Sequence, residues 1–469
     1  MHTRTIKNST VNMVDGPLFG KIVRFVIPLI ITSILQLLYN AADIIVVGRF
    51  VGDHALAAVG ATSALINLIF NVFMGLGNGA SVCAANAIGA KDNERVHRYV
   101  HTSLAVSFIG GIITMVVGFL FAEQMLVWMK TSPDIINDAT LYVKIFFLGA
   151  PANLVFNFIA GLLRASGDTK RPLYILSLSG VVNVVLNLVL VIIFHMSVAG
   201  VAIATIVSQY LSVVLVLIHI TKLDTELKYE IKKTKIYKKE FIDVLRLGLP
   251  SGFQGVLFSL SNVVVQSSIN SLDSVVVVAG NTAAGNIEGF IWASMNTLHQ
   301  AAQTFTSQNL GAGKIERSKK VLGNSLIIVS FVGILMGIMA NIFATPLLGL
   351  YAPGKSDVIA AGIARMRIIS TTYFLCGIMD VFSGVLRGLQ YSISSMLISL
   401  VSVCGFRILW LSTVFVASPS SFNIYITYPI SWILATLAFI VCFIVAYKQV
   451  KAKLSAKQAA IEDVHIAKV

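Results

Sequence analysis

The stretch Ser33–Gly52, "SILQLLYNAADIIVVGRFVG", decides how the rest of the chain is read. It is apolar for long enough to cross a bilayer, yet it carries an aspartate, Asp43, in its middle. An ionisable group inside such a run costs ~2.5–3.5 kcal/mol at a helix centre by insertion scales, so its default explanation is a function rather than packing. At helical spacing, Ser33, Gln36, Asn40 and Asp43 fall on one face, with Tyr39 beside them. A polar face on a spanning helix turns toward a bundle interior or a water-filled cavity.

Outward from this stretch, the whole chain has the same character. Of its 469 residues, 56% are hydrophobic and 12% charged, against roughly 25% charged in soluble domains. Twelve apolar segments can be read, at 22–48, 57–82, 99–122, 138–162, 172–194, 198–220, 242–270, 275–305, 321–344, 357–385, 391–416 and 423–447. Their length without strict alternation excludes a barrel. The fold class expected is an all-α membrane protein with twelve transmembrane helices. No cleavable signal is expected, because the first run begins near Ile22 and is too long for one.

The net charge of +14 does not point to nucleic acid, since the bases lie between the apolar runs. Alternate connections are rich in them: Lys21 and Arg24; Lys91, Arg95 and Arg98; Arg164, Lys170 and Arg171; seven lysines from Lys222 to Lys239; Lys314, Arg317, Lys319 and Lys320; Arg387; and Lys448 onward. The other connections hold only Arg49, Lys130, His195 and Lys355. The positive-inside rule then puts both termini in the cytoplasm, with the anionic inner leaflet facing the bases. Cys83, Cys376, Cys404 and Cys442 are far apart in apolar segments, so neither a disulfide frame nor a zinc site is expected.

The chain also repeats itself at an offset of 222 or 223 residues. "RFVIP" (Arg24–Pro28) answers "RLGLP" (Arg246–Pro250), and Asn40 falls on Asn262. "IGAKDNER" (Ile88–Arg95) answers "LGAGKIER" (Leu310–Arg317). "GLLR" (Gly161–Arg164) answers "GVLR" (Gly384–Arg387), with Lys144 on Arg367 and Asn157 on Asp380. An even number of spans per half makes the repeats parallel, two pseudo-twofold-related six-helix bundles about an axis along the membrane normal. The division expected is an N-lobe at 1–220, a basic cytoplasmic linker at 221–241, a C-lobe at 242–447 and a cytoplasmic tail at 448–469, helical at first and then fraying.

Other polar positions lie inside the spans. Span 2 carries Asn67, Asn71 and Asn78, and span 8 carries Asn281, Glu288, His299 and Gln303. A single amide more often holds helices together than binds a ligand, but stripes this long favour a wet cavity. Gln36, Tyr39, Asn40, Asn67, Asn157, Glu288, Asp380 and Arg407 are its expected lining. At ~1.5 Å per residue from the outer loops, Arg407 lies ~16 Å deep, Glu288 ~22 Å and Asp380 ~34 Å. Glu288 is therefore the expected partner of Arg407, with Asp380 second, while Arg365, Arg367 and Lys144 are expected to snorkel outward. Asp43 has no cation on its own stripe. It can hold a proton or recruit a small cation such as Na⁺ with oxygen ligands from its neighbours. "GLGNGA" (Gly75–Ala80) lies in an apolar helix and reads as packing glycine, not a dinucleotide loop. No nucleophile or metal constellation suggests an enzyme.

At these landmarks the chain resembles the MATE family, the multidrug and toxic compound extrusion transporters, and its DinF/MepA-like bacterial branch. The resemblance runs from Pro17 to about Tyr447 and rests on "YNAADIIVVGRF" (Tyr39–Phe50), the two repeated loops and "GLLRASGDTKRP" (Gly161–Pro172). It implies export of cationic or amphipathic small molecules in exchange for H⁺ or Na⁺, by alternating access between two lobes. It implies no cofactor beyond the coupling ion, and a monomer in a bacterial cytoplasmic membrane. The family's N-lobe cation site also draws on an Asn and, four residues on, an Asp of span 5. Here "NVVLN" supplies Asn183 but puts Asn187 where the carboxylate would be, and Thr205 of span 6 matches a further ligand. Loss of that carboxylate favours H⁺. The competing reading is a flippase for lipid-linked oligosaccharides or lipid precursors, which would line its cavity with arginine.

Overall fold

A computed structural model describes residues 10–466, and among them every regular element is helical. The first half contains α1 (Phe19–Phe50), α2 (Asp53–Gly89), α3 (Asn93–Trp128), α4 (Ile136–Leu148), α5 (Ala150–Ala165), α6 (Lys170–Leu188) and α7 (Ser197–Thr221). The second contains α8 (Lys238–Asn270), α9 (Val275–Gly311), α10 (Ile315–Ile342), α11 (Ala344–Tyr351), α12 (Ser356–Gly388), α13 (Ser392–Ser399), α14 (Phe406–Trp410), α15 (Ser421–Tyr425) and α16 (Thr427–Ile466). Turns of π-helix extend α6 over Val189–Ile193 and enclose α14 at Leu400–Gly405 and Leu411–Phe415.

Each expected span corresponds to helix. Ten are long and apolar enough to cross a membrane unaided. An eleventh, α4 with α5, is bent by 48°. The break falls at Gly149, where Pro151 opens the next helix at a position that needs no N–H. The remaining span, α9, is too rich in amides to pass as a lipid-facing helix. It is enclosed by its own bundle instead, with Asn281, Glu288, His299 and Gln303 all buried. The tail stays helical to Ile466, and the expected fraying concerns residues outside those described.

The chain divides into two compact units. One contains Ile27–Ile88 and Asp92–Val256 with the chain up to Val11; the other contains Asn12–Val26, Gly89–Lys91 and Leu257–Val469. Each is thus a six-span bundle that takes one helix end from the other half of the sequence. In the first unit, α2 and α8 cross with almost no side chain between them. A Cβ on Gly75 would lie 2.1 Å from the Gly252 nitrogen, and one on Gly79 would lie 2.6 Å from the Gly248 nitrogen. The glycines of "GLGNGA" therefore serve close backbone packing. The outer faces are apolar, as lipid requires: Ile45, Leu120, Val181 and Phe331 are all exposed.

The duplication is visible in the backbone. Lys91 and Gly313, 222 apart, both adopt left-handed φ values, of 57° and 70°. Gly167 and Gln390, 223 apart, do the same at 91° and 71°. The π turns Val189–Ile193 and Leu411–Phe415 are also offset by 222.

Candidate functional site

Asp43 lies on α1, half-buried. Its position against α6 is set one turn earlier by Tyr39. A Cβ on Gly180 would fall 1.9 Å from the Tyr39 ring, so only glycine lets the ring lie flat against α6. The Tyr39 hydroxyl donates to the Ser177 carbonyl (3.3 Å). With this register, Asp43 meets Asn187, whose Nδ2 donates to Asp43 Oδ1. The same amide lies 3.4 Å from Asn183 Oδ1, and Asn183 Nδ2 is 3.5 Å from Thr205 Oγ1. The Thr205 hydroxyl lies 2.9 Å from the Val201 carbonyl and beside the Asp43 carboxylate, and can donate to either.

The structure thus brings Asp43, Asn183, Asn187 and Thr205 together. Two features mark the cluster. Among the described residues no Lys or Arg pairs with Asp43. In addition, the Asn187 side-chain oxygen is fully buried and accepts no hydrogen bond. A buried amide oxygen without a donor costs ~1–3 kcal/mol, and here it lies next to an uncompensated carboxylate. Tyr142, itself buried, is within electrostatic reach of the same group. The π turn of Val189–Ile193 begins two residues beyond Asn187, a widening that recurs at functional positions in helices.

Of the other expected lining residues, Gln36, Asn40 and Asn67 are exposed on their helices. Asn157 folds back onto Asn153, donating to its carbonyl (2.8 Å) and its side-chain oxygen (3.0 Å).

The second unit has a polar centre of a different kind, and here the expected pairing is corrected. Glu288 is bound by Arg365, not by Arg407. The Arg365 Nη2 lies 2.6 Å from Glu288 Oε2, and its Nε lies 3.1 and 3.2 Å from the two carboxylate oxygens. Arg365 Nη1 also donates to Asn281 Oδ1. Asn281 Nδ2 continues the chain to Gln266 Oε1 (3.2 Å), and Gln266 Nε2 to Asn270 Oδ1 (2.9 Å). Arg365 does not snorkel: it is 7% exposed. Its guanidinium charge is satisfied in place, and the Tyr425 and Tyr428 rings cover it at 5.8 and 5.6 Å. Arg407 donates from Nε to Ser431 Oγ (3.2 Å) and lies 4.1 Å over the Tyr428 ring. Asp380 pairs with neither, its carbonyl accepting the Nδ1–H of His299 (2.7 Å), with Arg387 within electrostatic reach of its side chain. Tyr425 and Tyr428 were not among the residues expected from sequence, and Arg365 was expected to snorkel rather than to pair with Glu288. Gln266 had a signal, because Asn262, Gln266 and Asn270 recur at steps of four on one helix face.

Two repeated six-helix bundles, each with a polar centre held inside apolar helices, define a multi-pass membrane transporter. The profile of the MatE family matches residues 28–189 and again 250–411, so the chain belongs to that family. The second match starts and ends 222 residues after the first, the offset already seen in the turns. Among curated relatives, the chain is 27% identical over 393 residues to "Probable multidrug resistance protein YoeA" of Bacillus subtilis, covering 82% of this chain and 84% of that one. It is 25% identical over 394 residues to "Probable multidrug resistance protein YpnP" of the same organism, covering 83% and 86%. Its fold is similar to the outward-facing structure of a multidrug resistance MATE family transporter of the MOP superfamily. The TM-score is 0.87 and the identity 23%, with 95% of this chain and 99% of that one covered.

Proposed function

We propose that the chain is a secondary active exporter that moves cationic or amphipathic small molecules out of a bacterial cell in exchange for a coupling cation. It lies in the cytoplasmic membrane with both termini inside, an N-lobe at 1–220 and a C-lobe at 242–447 joined by the basic linker. It alternates access between the lobes, and works as a monomer without a cofactor. The relatives named as multidrug resistance proteins support the substrate class.

One observation carries the coupling site: the carboxylate of Asp43 has amide and hydroxyl partners but, among the described residues, no cation. Asn187 can serve both protonation states. Its NH₂ donates to the carboxylate; rotated by half a turn, its oxygen accepts from the protonated acid. That oxygen, buried and without a donor, is the partner the proton would use. Four oxygens, from Asp43, Asn183, Asn187 and Thr205, could also surround Na⁺, but a single carboxylate among them favours H⁺. One net charge crossing 100 mV supplies ~2.3 kcal/mol, enough for a gradient of about fifty-fold when one H⁺ enters for each uncharged substrate that leaves; one-for-one exchange for a monovalent cation moves no net charge and draws on the H⁺ concentration gradient alone. A flippase for anionic precursors is less well supported, because Arg365 is engaged by Glu288.

The test is transport in liposomes of purified protein, with a fluorescent organic cation as substrate. Uphill movement is expected under an imposed H⁺ gradient, with little response to Na⁺. Asp43→Asn keeps the shape and removes the titration, so it should insert normally and lose both uphill transport and substrate-induced cation flux. Undiminished uphill transport by Asp43→Asn would overturn the assignment.

A further inference from the structure

The linker between the two halves is not a loose connection. Residues Ile231–Lys233 form a turn of 3-10 helix, and the Tyr237 N–H donates to Thr102 Oγ1 of α3 (3.1 Å). His101, fully buried, pins the linker from below. Its Nδ1–H donates to the His97 carbonyl (2.9 Å), which leaves Nε2 to accept the Glu230 N–H (3.3 Å). The Tyr229 ring packs against the same imidazole at 5.2 Å.

This scaffold borders an open cavity of about 550 Å³ lined by His97, Arg98, Lys232, Lys233, Lys235 and Tyr237. Its acidic lining is Glu94, which Arg98 holds. Lys233 pairs with Glu230 at 2.8 Å, and this contact keeps the Glu230 carboxyl below its ordinary range. Lys232 and Lys235 have no acidic partner among the described residues. Arg98 and Lys235 flank the Tyr237 ring, at 5.5 and 5.8 Å.

We infer that this cavity binds a phosphate-bearing anion, the headgroup of an acidic membrane lipid. Positive charge exceeds negative here: Arg98 lies near Glu94 and Glu240, and Lys233 near Glu230, but Lys232 and Lys235 have no acidic partner among the described residues and are available to a phosphate. The choice of a lipid rests on a separate feature. Ile231 and Ile236 are 71% and 40% exposed within this lysine-rich segment. Apolar side chains beside lysines and a tyrosine at the end of a spanning helix match the boundary between headgroups and acyl chains. A soluble phosphate would have no use for them.

The experiment uses the purified full chain in detergent and measures the affinity of spin-labelled phosphatidylglycerol against phosphatidylcholine. A Lys232→Gln, Lys233→Gln, Lys235→Gln triple variant is compared with Lys451→Gln, a lysine outside the cavity. Phosphatidylglycerol should be preferred, and the triple variant should lose that preference about tenfold or more, since each base near a surface contributes several-fold. Lys451→Gln should keep it. In a second arm, inorganic pyrophosphate is titrated by calorimetry. Pyrophosphate binding that the triple variant abolishes, without any lipid preference, would keep the phosphate site and overturn the lipid as its ligand. No binding in either arm, or equal binding by the triple variant, would overturn the site itself.

Discussion

Glu288 and Arg365 show how much a single side chain can settle inside a membrane. An unpaired charge there is expensive, and breaking a buried pair by removing one member costs about 3–5 kcal/mol. Arg365→Leu is therefore expected to reduce folded yield and thermal stability sharply, and Glu288→Gln in the same chain should recover much of the loss. Melting of the detergent-solubilised single and double variants checks this. Arg407→Leu combined with Glu288→Gln should show no such rescue, since Arg407 meets Ser431 and the Tyr428 ring instead. Depth counted along the helices put Glu288 nearer to Arg407. What depth omits is which helices are neighbours: Arg365, ~14 Å into its helix against ~20 Å for Glu288, has the same offset as Arg407, but its helix α12 packs along α9, which carries Glu288. Asp43 was legible in the sequence because helical periodicity places it with Gln36 and Asn40 on one polar face of an apolar helix, whereas Asn183, Asn187 and Thr205 were expected only from the family resemblance. The buried oxygen of Asn187 was not legible, since it depends on which way an amide turns within a packed bundle.

At the level of the helix, spans are legible because lipid imposes a length and a composition. The break in the fourth span was missed, although "LGAPAN" (Leu148–Asn153) carries its signal in Gly149 and Pro151. The π turns after Asn187 and around Arg407 leave no trace in hydropathy, because widening a helix by one residue changes no residue's polarity. The crossing of α2 and α8 gives the clearest prediction at this scale. Gly75→Val must push backbone against backbone at Gly252, and is expected to cost about 1–3 kcal/mol or more. On the same helix, a Cβ at Gly60 meets nothing within 4 Å, so Gly60→Ala should leave stability unchanged or slightly raised. Thermal melting of both variants makes the comparison internal to one helix. Equal losses at the two positions would refute the close crossing.

Across the whole molecule, the sequence carried two strong signals, the alternation of basic connections and the repeat at one offset. The repeat reappears in the left-handed turns at Lys91 and Gly313. The alternation yields an orientation that can be tested directly. With the linker inside the cell, Thr234→Cys in a background without the four native cysteines should resist an impermeant thiol reagent applied to intact cells, and react after permeabilisation. Ready labelling from outside would invert the topology. The partition of the chain between the units was hidden from sequence, because composition does not say which bundle the first turns of α1 or α8 will join.

That partition has a consequence for biosynthesis. When six spans have emerged from the ribosome, the first unit is still missing Lys238–Val256, made only after the linker. The groove at Gly75 and Gly79 then has no Gly248 and Gly252 to receive, so a chain cut short at the linker would leave it open to lipid. Maturation of the first bundle must therefore wait for the seventh span, and neither half of the gene, expressed alone, encodes a finished bundle.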